Sequence, residues 1–436
     1  MTKQFFTLSF LLMTFSAFAQ QPLQLSEAIK EMKANNSELK IQDNEIKLAN
    51  SELNATQSGF LPKLSVSHTG LYTNDPLNAF GFKLQQSVVS QADFNPTLLN
   101  NPDGIFNFNT KLSVQQPILN FDVFEARKAV KEKIKAVTYQ KQFAQEQLAV
   151  EIKKAYTNLQ FLYEAKKAVQ GGILAYQETL RNTENFEKQG FAKPTDVLMV
   201  KVGLSEVQNK AIEIVNNIAN VSDYLSWLMG KEVQAIYIPT TELSKKELQN
   251  ISLNFSEERF DILAMKKGIE AQSNMVMMNK KSLLPRLNAF GEYNLHDKKI
   301  AGFGANSYLA GVSLSWNIFS GNETRNKITK SQINVNKAET EMQVYIEKNK
   351  LELQKSNRDL TANQAKINLA ETAKKQALES LKILENRYAQ GLEKTADILI
   401  SKASALEKQV QLLEAIKEYN LSTIQIEFLT QQYTND

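Results

Sequence analysis

The chain makes one tight turn twice. Residues 185–201 read NFEKQGFAKPTDVLMVK and residues 386–402 read NRYAQGLEKTADILISK. A shift of 201 aligns Asn185/Asn386, Gln189/Gln390, Gly190/Gly391, Lys193/Lys394, Asp196/Asp397, Leu198/Leu399 and Lys201/Lys402 as identical pairs. The repeat extends well beyond the turns. NSELKIQ (36–42) faces RFDILAM (259–265), and FLPKL (60–64) faces LLPRL (283–287), under a shift of 223. LSVQQPILN (112–120) meets VSLSWNIFS (312–320) under a shift of 200. The shift changes only between residues 70 and 110, so the first copy carries an insertion there. Asp-Pro, Asn-Pro and Asp-Gly punctuate that segment, 74–105, as loop. A fold with this sequence is built from one supersecondary unit used twice, 21–230 and 256–430, joined by 231–255 and followed by a short tail, 431–436.

Within each unit the period of the apolar residues switches. Leu148, Ile152, Ala155, Leu159, Leu162, Val169, Ile173, Tyr176 and Leu180 alternate in steps of four and three, with Lys166 the one interruption. The second copy keeps this register in Leu353, Leu360, Ile367, Ala370, Ala377, Leu381, Leu384 and Tyr388. That is a coiled-coil seam of period 3.5. The helical pattern from Phe121 to Gln189 covers about 70 residues, hence about 105 Å at 1.5 Å per residue. The flanking helices, Ser26 to about Phe60 and Thr195 to about Lys231, are half as long, and Ser256 to Leu283 is shorter still. Two half-length helices laid end to end match one long one.

Between the Leu-Pro pairs and the long helices the period becomes two. In KLSVSHTGLYT (63–73) and FNFNTKLSVQ (106–115) apolar and polar residues alternate, and LNAFGEYNL (287–295) and SYLAGVSLSWN (307–317) do so more loosely. Tyr72, Phe106, Tyr293, Tyr308 and Trp316 lie near the strand ends. Length, alternation and aromatic placement are those of membrane β-barrel strands. Four strands cannot enclose a lumen, and an open sheet edge in lipid leaves backbone groups unpaired at several kcal/mol each. Several chains must therefore share one barrel.

The start, MTKQFFTLSFLLMTFSAFAQ, has one basic residue, an apolar run and a small-residue ending at Ala17-Phe18-Ala19, the layout of a secretory signal peptide over 1–20. Export permits disulfides, yet the chain has no cysteine, so packing alone must hold it and no acyl-anchor cysteine is present. With 51 basic and 47 acidic residues the surface is mixed in sign, which argues against nucleic acid as a partner.

LSEAIKEMKANNSELK, the duplicated Leu-Pro, QQPILN, ERFDILAMK and the two Gly-(x)5-Asp turns together resemble the TolC family of outer-membrane efflux proteins, over essentially the whole mature chain. Such proteins often have Arg-Pro-Asp where this chain has Arg-Phe-Asp. The resemblance implies a mainly α fold with a β-barrel part. Long antiparallel coiled-coil helices form a periplasmic α-barrel, and each subunit of a homotrimer gives four strands to a shared transmembrane barrel of twelve. It further implies an outer-membrane location extending into the periplasm, in contact with outer-membrane lipid. A periplasmic adaptor (a membrane fusion protein) and an inner-membrane transporter are the implied partners. The two turns, 189–196 and 390–397, then lie at the periplasmic mouth. Gly190 and Gly391 end helices where a left-handed residue costs least, and with Phe191 and Leu392 they are candidates for shaping the turns and docking the adaptor. Asp397, Asp196, Lys394, Lys193, Glu393, Tyr388 and Thr195 are candidates for the constriction. Thr195 is the expected N-cap, and Asp196 is placed to meet the helix dipole. Asp196 serves either the turn or the constriction. Family members ring the narrowest point with acidic side chains near Asp397, which favours a functional role there.

The chain has two histidines, His68 and His296, and no metal-ligand spacing around them. Gly-x-Gly in GFGAN (302–306) lacks a following helix. No nucleophile–base pairing or nucleotide motif appears, so neither enzyme activity nor a cofactor is expected. Two readings follow: a passive exit duct of a tripartite pump or type I secretion system, or a non-conducting coiled-coil surface protein or adhesin. The cargo (drug, metal or protein) stays open, as does the resting state of the mouth.

Overall fold

The computed structural model describes residues 20–246 and 254–431. All but the last residue of the expected signal peptide therefore lie outside the described residues, as do all but the first residue of the expected tail. In chain order the elements are β1 (Gln20–Leu23), α1 (Leu25–Asn35), α2 (Ser37–Ala55), β2 (Lys63–Thr73), α3 (Pro76–Gln85), α4 (Pro96–Asn100), β3 (Ile105–Leu119), α5 (Phe121–Lys188) and α6 (Pro194–Met229). Then follow β4 (Ile236–Pro239), α7 (Phe260–Lys281), β5 (Arg286–Asp297), β6 (Ala305–Ser315), α8 (Glu323–Ala389) and α9 (Thr395–Thr430). The chain is mainly helical, and two helices, of 68 and 67 residues, dominate it. At 1.5 Å per residue each is about 100 Å long.

Two compact units share these elements. One gathers the described parts of Met1–Asp43, Gln140–Ile262 and Val344–Asp436; the other gathers Asn44–Tyr139 and Leu263–Gln343. The first unit is a helical assembly packed on the predicted seam. Leu148, Ile152, Leu159, Leu162, Val169 and Tyr176 of α5 are all buried. On α8 the same register buries Leu353, Ile367 and Tyr388, while Leu360, Ala370, Ala377, Leu381 and Leu384 are half-buried. A short parallel pair, β1 with β4, completes this unit, in a segment where the sequence suggested only a joining stretch.

The expected single helix from Ser26 to Phe60 is broken. Asn36 leaves the helical region at φ −58°, ψ 131°, and its Oδ1 accepts from the N–H groups of Glu38 (2.8 Å) and Leu39 (3.2 Å). It thus caps α2, while its Nδ2 donates to the carbonyl of Leu228 (2.8 Å). A buried asparagine that satisfies three backbone groups outweighs the small gain of continuing the helix.

ERFD opens the second copy with a buried ion pair. Arg259 donates to Asp261 (2.7 Å) and to Asn349 (3.1 Å), amid the rings of Phe143, Phe255 and Phe428. Tyr345 donates to Asp261 as well (2.7 Å); burial first, and then that carboxylate, pushes its hydroxyl up to about 12. Phe260 is the first residue of α7, the position where proline is best tolerated in a helix, so Arg-Phe-Asp and Arg-Pro-Asp suit the same local geometry.

The second unit is built on one antiparallel sheet, order β2-β3-β5-β6. β3 and β5 are central; β2 and β6 are edges. β3 slips register between Pro117 and Leu119, where proline removes a ladder donor. Residues 74–105 are not plain loop. Asp75 and Asn95 cap α3 and α4 with a proline at the first turn of each, so the dipeptides read as loop signals start helices here. Among the described residues no helix is long and apolar enough to cross a membrane.

Candidate functional site: two hairpin tips and a two-faced sheet

Both tips belong to the helical unit and end their long helices in the same way. Gly190 and Gly391 have φ +77° and +71°, the left-handed region where glycine has no side-chain penalty. Phe191 N–H donates to the Phe186 carbonyl (2.8 Å) and Gly190 N–H to that of Glu187 (2.9 Å). In the second tip Leu392 reaches Arg387 and Gly391 reaches Tyr388, both at 3.0 Å. These are paired Schellman closures. Phe191 and Leu392 follow the glycines and are exposed.

Thr195 is not the cap that its residue type suggested. α6 begins at Pro194 with Lys193 in the capping position, because proline is pre-set for the first helical residue; Thr195 becomes the second helical residue, two places past the cap, and is exposed. The capping contact comes from Asp196, whose carboxylate accepts from the Lys193 N–H (2.9 Å). In the second tip Lys394 holds the capping position, but its N–H lies by the Glu393 carboxylate instead. Glu393 pairs with Arg387 (3.0 Å), and that guanidinium, more than any other neighbour, holds its carboxyl below the usual glutamate range. Asp397 sits half-buried beside Glu393 and lines a shallow depression with Ser380, Leu384 and Ser401.

Tyr388 lies inside the packing. Its hydroxyl meets Thr183 of α5 at 2.6 Å and Thr395 of α9 at 3.3 Å, and its ring stands edge-on to Phe186, centroids 5.7 Å apart. Sequence reasoning missed Thr183, although it is the next seam step after Leu180 and a hydroxyl there was the available signal. It also missed the ion pairs Lys201–Glu184 (3.5 Å) and Lys402–Glu385 (2.5 Å), which the repeat carries at matching positions. Lys402 is buried; Lys201 is exposed.

The sheet has its polarity inside out. Leu64, Val66, Tyr72, Phe106, Val312 and Leu314 are exposed. On the opposite face Asn109 bonds Asn294 (3.3 Å) and Lys111 pairs with Glu292 (2.7 Å). An apolar exposed face over a polar hydrogen-bonded one is the arrangement of a strand set between lipid and a water-filled lumen. Trp316 and Tyr308 stand on the exposed side near strand ends, as in an interfacial girdle.

Sheet and hairpins together define a membrane channel subunit of the type that combines β-strands with long coiled-coil helices. The family model for outer membrane efflux proteins matches residues 28–231 and again 254–430, so the chain belongs to that family. It is an efflux channel of the outer membrane that extends into the periplasm. Among solved structures it resembles the outer membrane protein VceC of Vibrio cholerae, at 18% identity and TM-score 0.74 over 92% of this chain and 95% of that one. The CmeC outer membrane channel of Campylobacter jejuni matches at 17% and 0.78, over 94% and 87%. The MtrE channel of Neisseria gonorrhoeae, in an open state, matches at 14% and 0.74, over 93% and 88%. No curated protein sequence matches significantly.

Proposed function

We propose that three copies assemble into a passive exit duct, each giving β2, β3, β5 and β6 to one closed barrel of twelve strands and its long helices to a periplasmic tunnel. The observation that carries this reading is the inside-out sheet with β2 and β6 unpaired at its edges. Such edges are intolerable in lipid and are satisfied when β6 of one copy meets β2 of the next. A threefold ring repeats this contact without leaving an end. The helices support it: Leu198, Val202 and Ile212 of α6, and Val344, Leu351 and Leu369 of α8, are exposed in a single chain and form apolar seams for neighbouring copies.

In this duct the repeats are 21–230 and 256–430, and the tips form the periplasmic mouth. Gly190, Phe191, Gly391 and Leu392 offer docking points to a periplasmic adaptor, which links the duct to an inner-membrane transporter. Asp397, with no capping role, supplies three carboxylates around the axis; Asp196 is the weaker candidate because it caps α6. The role is conduction, without an enzymatic step. Native mass spectrometry of detergent-extracted protein is expected to show a trimer, and planar bilayer recordings to show channels. A folded monomer would overturn the shared barrel. Verified trimer without channels would favour the adhesin reading.

A further inference from the structure

On the polar face of the sheet, burial is concentrated at one end. Asn107 of β3, His296 of β5 and Ala305 of β6 are 2%, 4% and 5% exposed. Strand alternation puts all three on the face that carries Asn109, Lys111 and Glu292, and the register pairs His296 with both Asn109 and Ala305. At the same end Tyr72 and Phe106, on the apolar face, remain 63% and 52% exposed. Something covers the polar face only, and only there.

The cover is the insertion. Gln86, just past α3, donates from Nε2 to the Phe106 carbonyl (2.7 Å) and to Asn107 Oδ1 (3.1 Å). Asn107 Nδ2 donates to Gln85 Oε1 (3.1 Å) and lies 3.3 Å from His296 Nδ1. α3 also packs against β6, the far edge of the sheet, so the helix crosses the polar face rather than standing off it. The segment braces itself: Lys83 pairs with Asp93 (2.8 Å), Ser90 donates N–H and Oγ–H to the same carboxylate, and the Phe80 and Phe94 rings meet edge to face at 5.6 Å. Three interactions on one carboxylate, the Lys83 hydrogen bond foremost, lower Asp93 to about 2. An irregular connection of this length left in solvent would have no reason to bury Asn107 and His296 or to satisfy Asn107 with its own glutamines.

We propose that residues 74–105 are an ordered inward lid that narrows the lumen of the barrel at the strand ends carrying Asn107 and His296, making a constriction that limits the size of what leaves the duct. The proposal rests on the duct reading above, because only in a closed barrel does the polar face become a lumen wall. Three copies then project three α3 helices into one opening. Gln85, Gln86 and Asn107 are its positioning residues.

The test compares the full chain with a variant in which 76–101 is replaced by a short Gly/Ser linker, and with Gln86→Ala, which cuts the anchor and leaves the segment in place. Single-channel conductance in bilayers is expected to rise severalfold in the linker variant and to become flickering in Gln86→Ala. Since the chain has no cysteine, Ala305→Cys reports cover directly. A methanethiosulfonate reagent is expected to react slowly with it in the full-length background and quickly in the linker background. Channels of unchanged conductance, together with equal thiol reactivity in both backgrounds, would overturn the lid while leaving the duct intact. A wild-type trimer that forms no channels would remove the duct, and the lid with it.

Discussion

The two hairpin tips share seven of seventeen aligned residues and are locked by different chemistry. Both close on a left-handed glycine and both begin the return helix after a lysine. In the first tip the lock is local: Pro194 sets the helix start and Asp196 caps it. In the second, proline is replaced by Thr395, and its hydroxyl joins Tyr388 and Thr183 in a chain that ties α9, α8 and α5 together. Arg387 and Glu393 clasp that turn, where the first copy has Phe186 and Ala192. Backbone geometry is therefore what the duplication preserved. Side chains were free to divide the work, one tip closing on itself and the other holding its neighbour.

The comparison breaks most clearly at Tyr388. Tyr388→Ala removes an edge-on aromatic contact and two buried hydroxyl partners, at a cost of about 3–5 kcal/mol. The repeat-related Glu187→Ala should stay within about 0.5 kcal/mol. Thermal unfolding, or hydrogen exchange resolved to the tips, distinguishes them. Equal effects would mean that the two tips are locked alike.

A smaller effect separates the two aspartates. Asp196→Ala removes a capping carboxylate, with a loss of about 1 kcal/mol confined to the start of α6. Asp397→Ala should cost less stability yet change conduction. Asp397→Asn should weaken cation preference, and Asp397→Lys should weaken it further or reverse it, as charged rings in narrow pores do. Reversal potentials in a salt gradient measure this. Unchanged selectivity in both Asp397 variants would place the constriction elsewhere.

The smallest effect is in pH. Glu393 is held below the usual glutamate range in the folded chain, chiefly by Arg387. Its contribution is thus complete above the ordinary glutamate pKa and is lost as pH falls through the lowered value. Hydrogen exchange at the second tip should accelerate over that acidic window, and Arg387→Gln should weaken the dependence. The first tip, with Phe186 and Ala192 in those places, has no counterpart of this ion pair.

Much of this molecule is legible in its sequence because its two periods are local and long. A seam of step three and four sustained from Leu148 to Leu180 can only be a helix face. Residues such as Leu64, Val66, Phe106 and Val114, alternating with serine, asparagine and lysine, can only line a two-faced strand. Gly190 and Gly391 announce their turns because no other residue enters the left-handed region so cheaply. What tertiary structure decided lies where a side chain chooses a partner far along the chain. Asn36 breaks a helix because the Leu228 carbonyl awaits its amide. Tyr388 finds Thr183 across 205 residues. Gln86 turns an apparent loop onto Asn107. Periodicity records which face a residue occupies, but a hydrogen bond between distant groups depends on where folding brings that face to rest, and no local pattern encodes it.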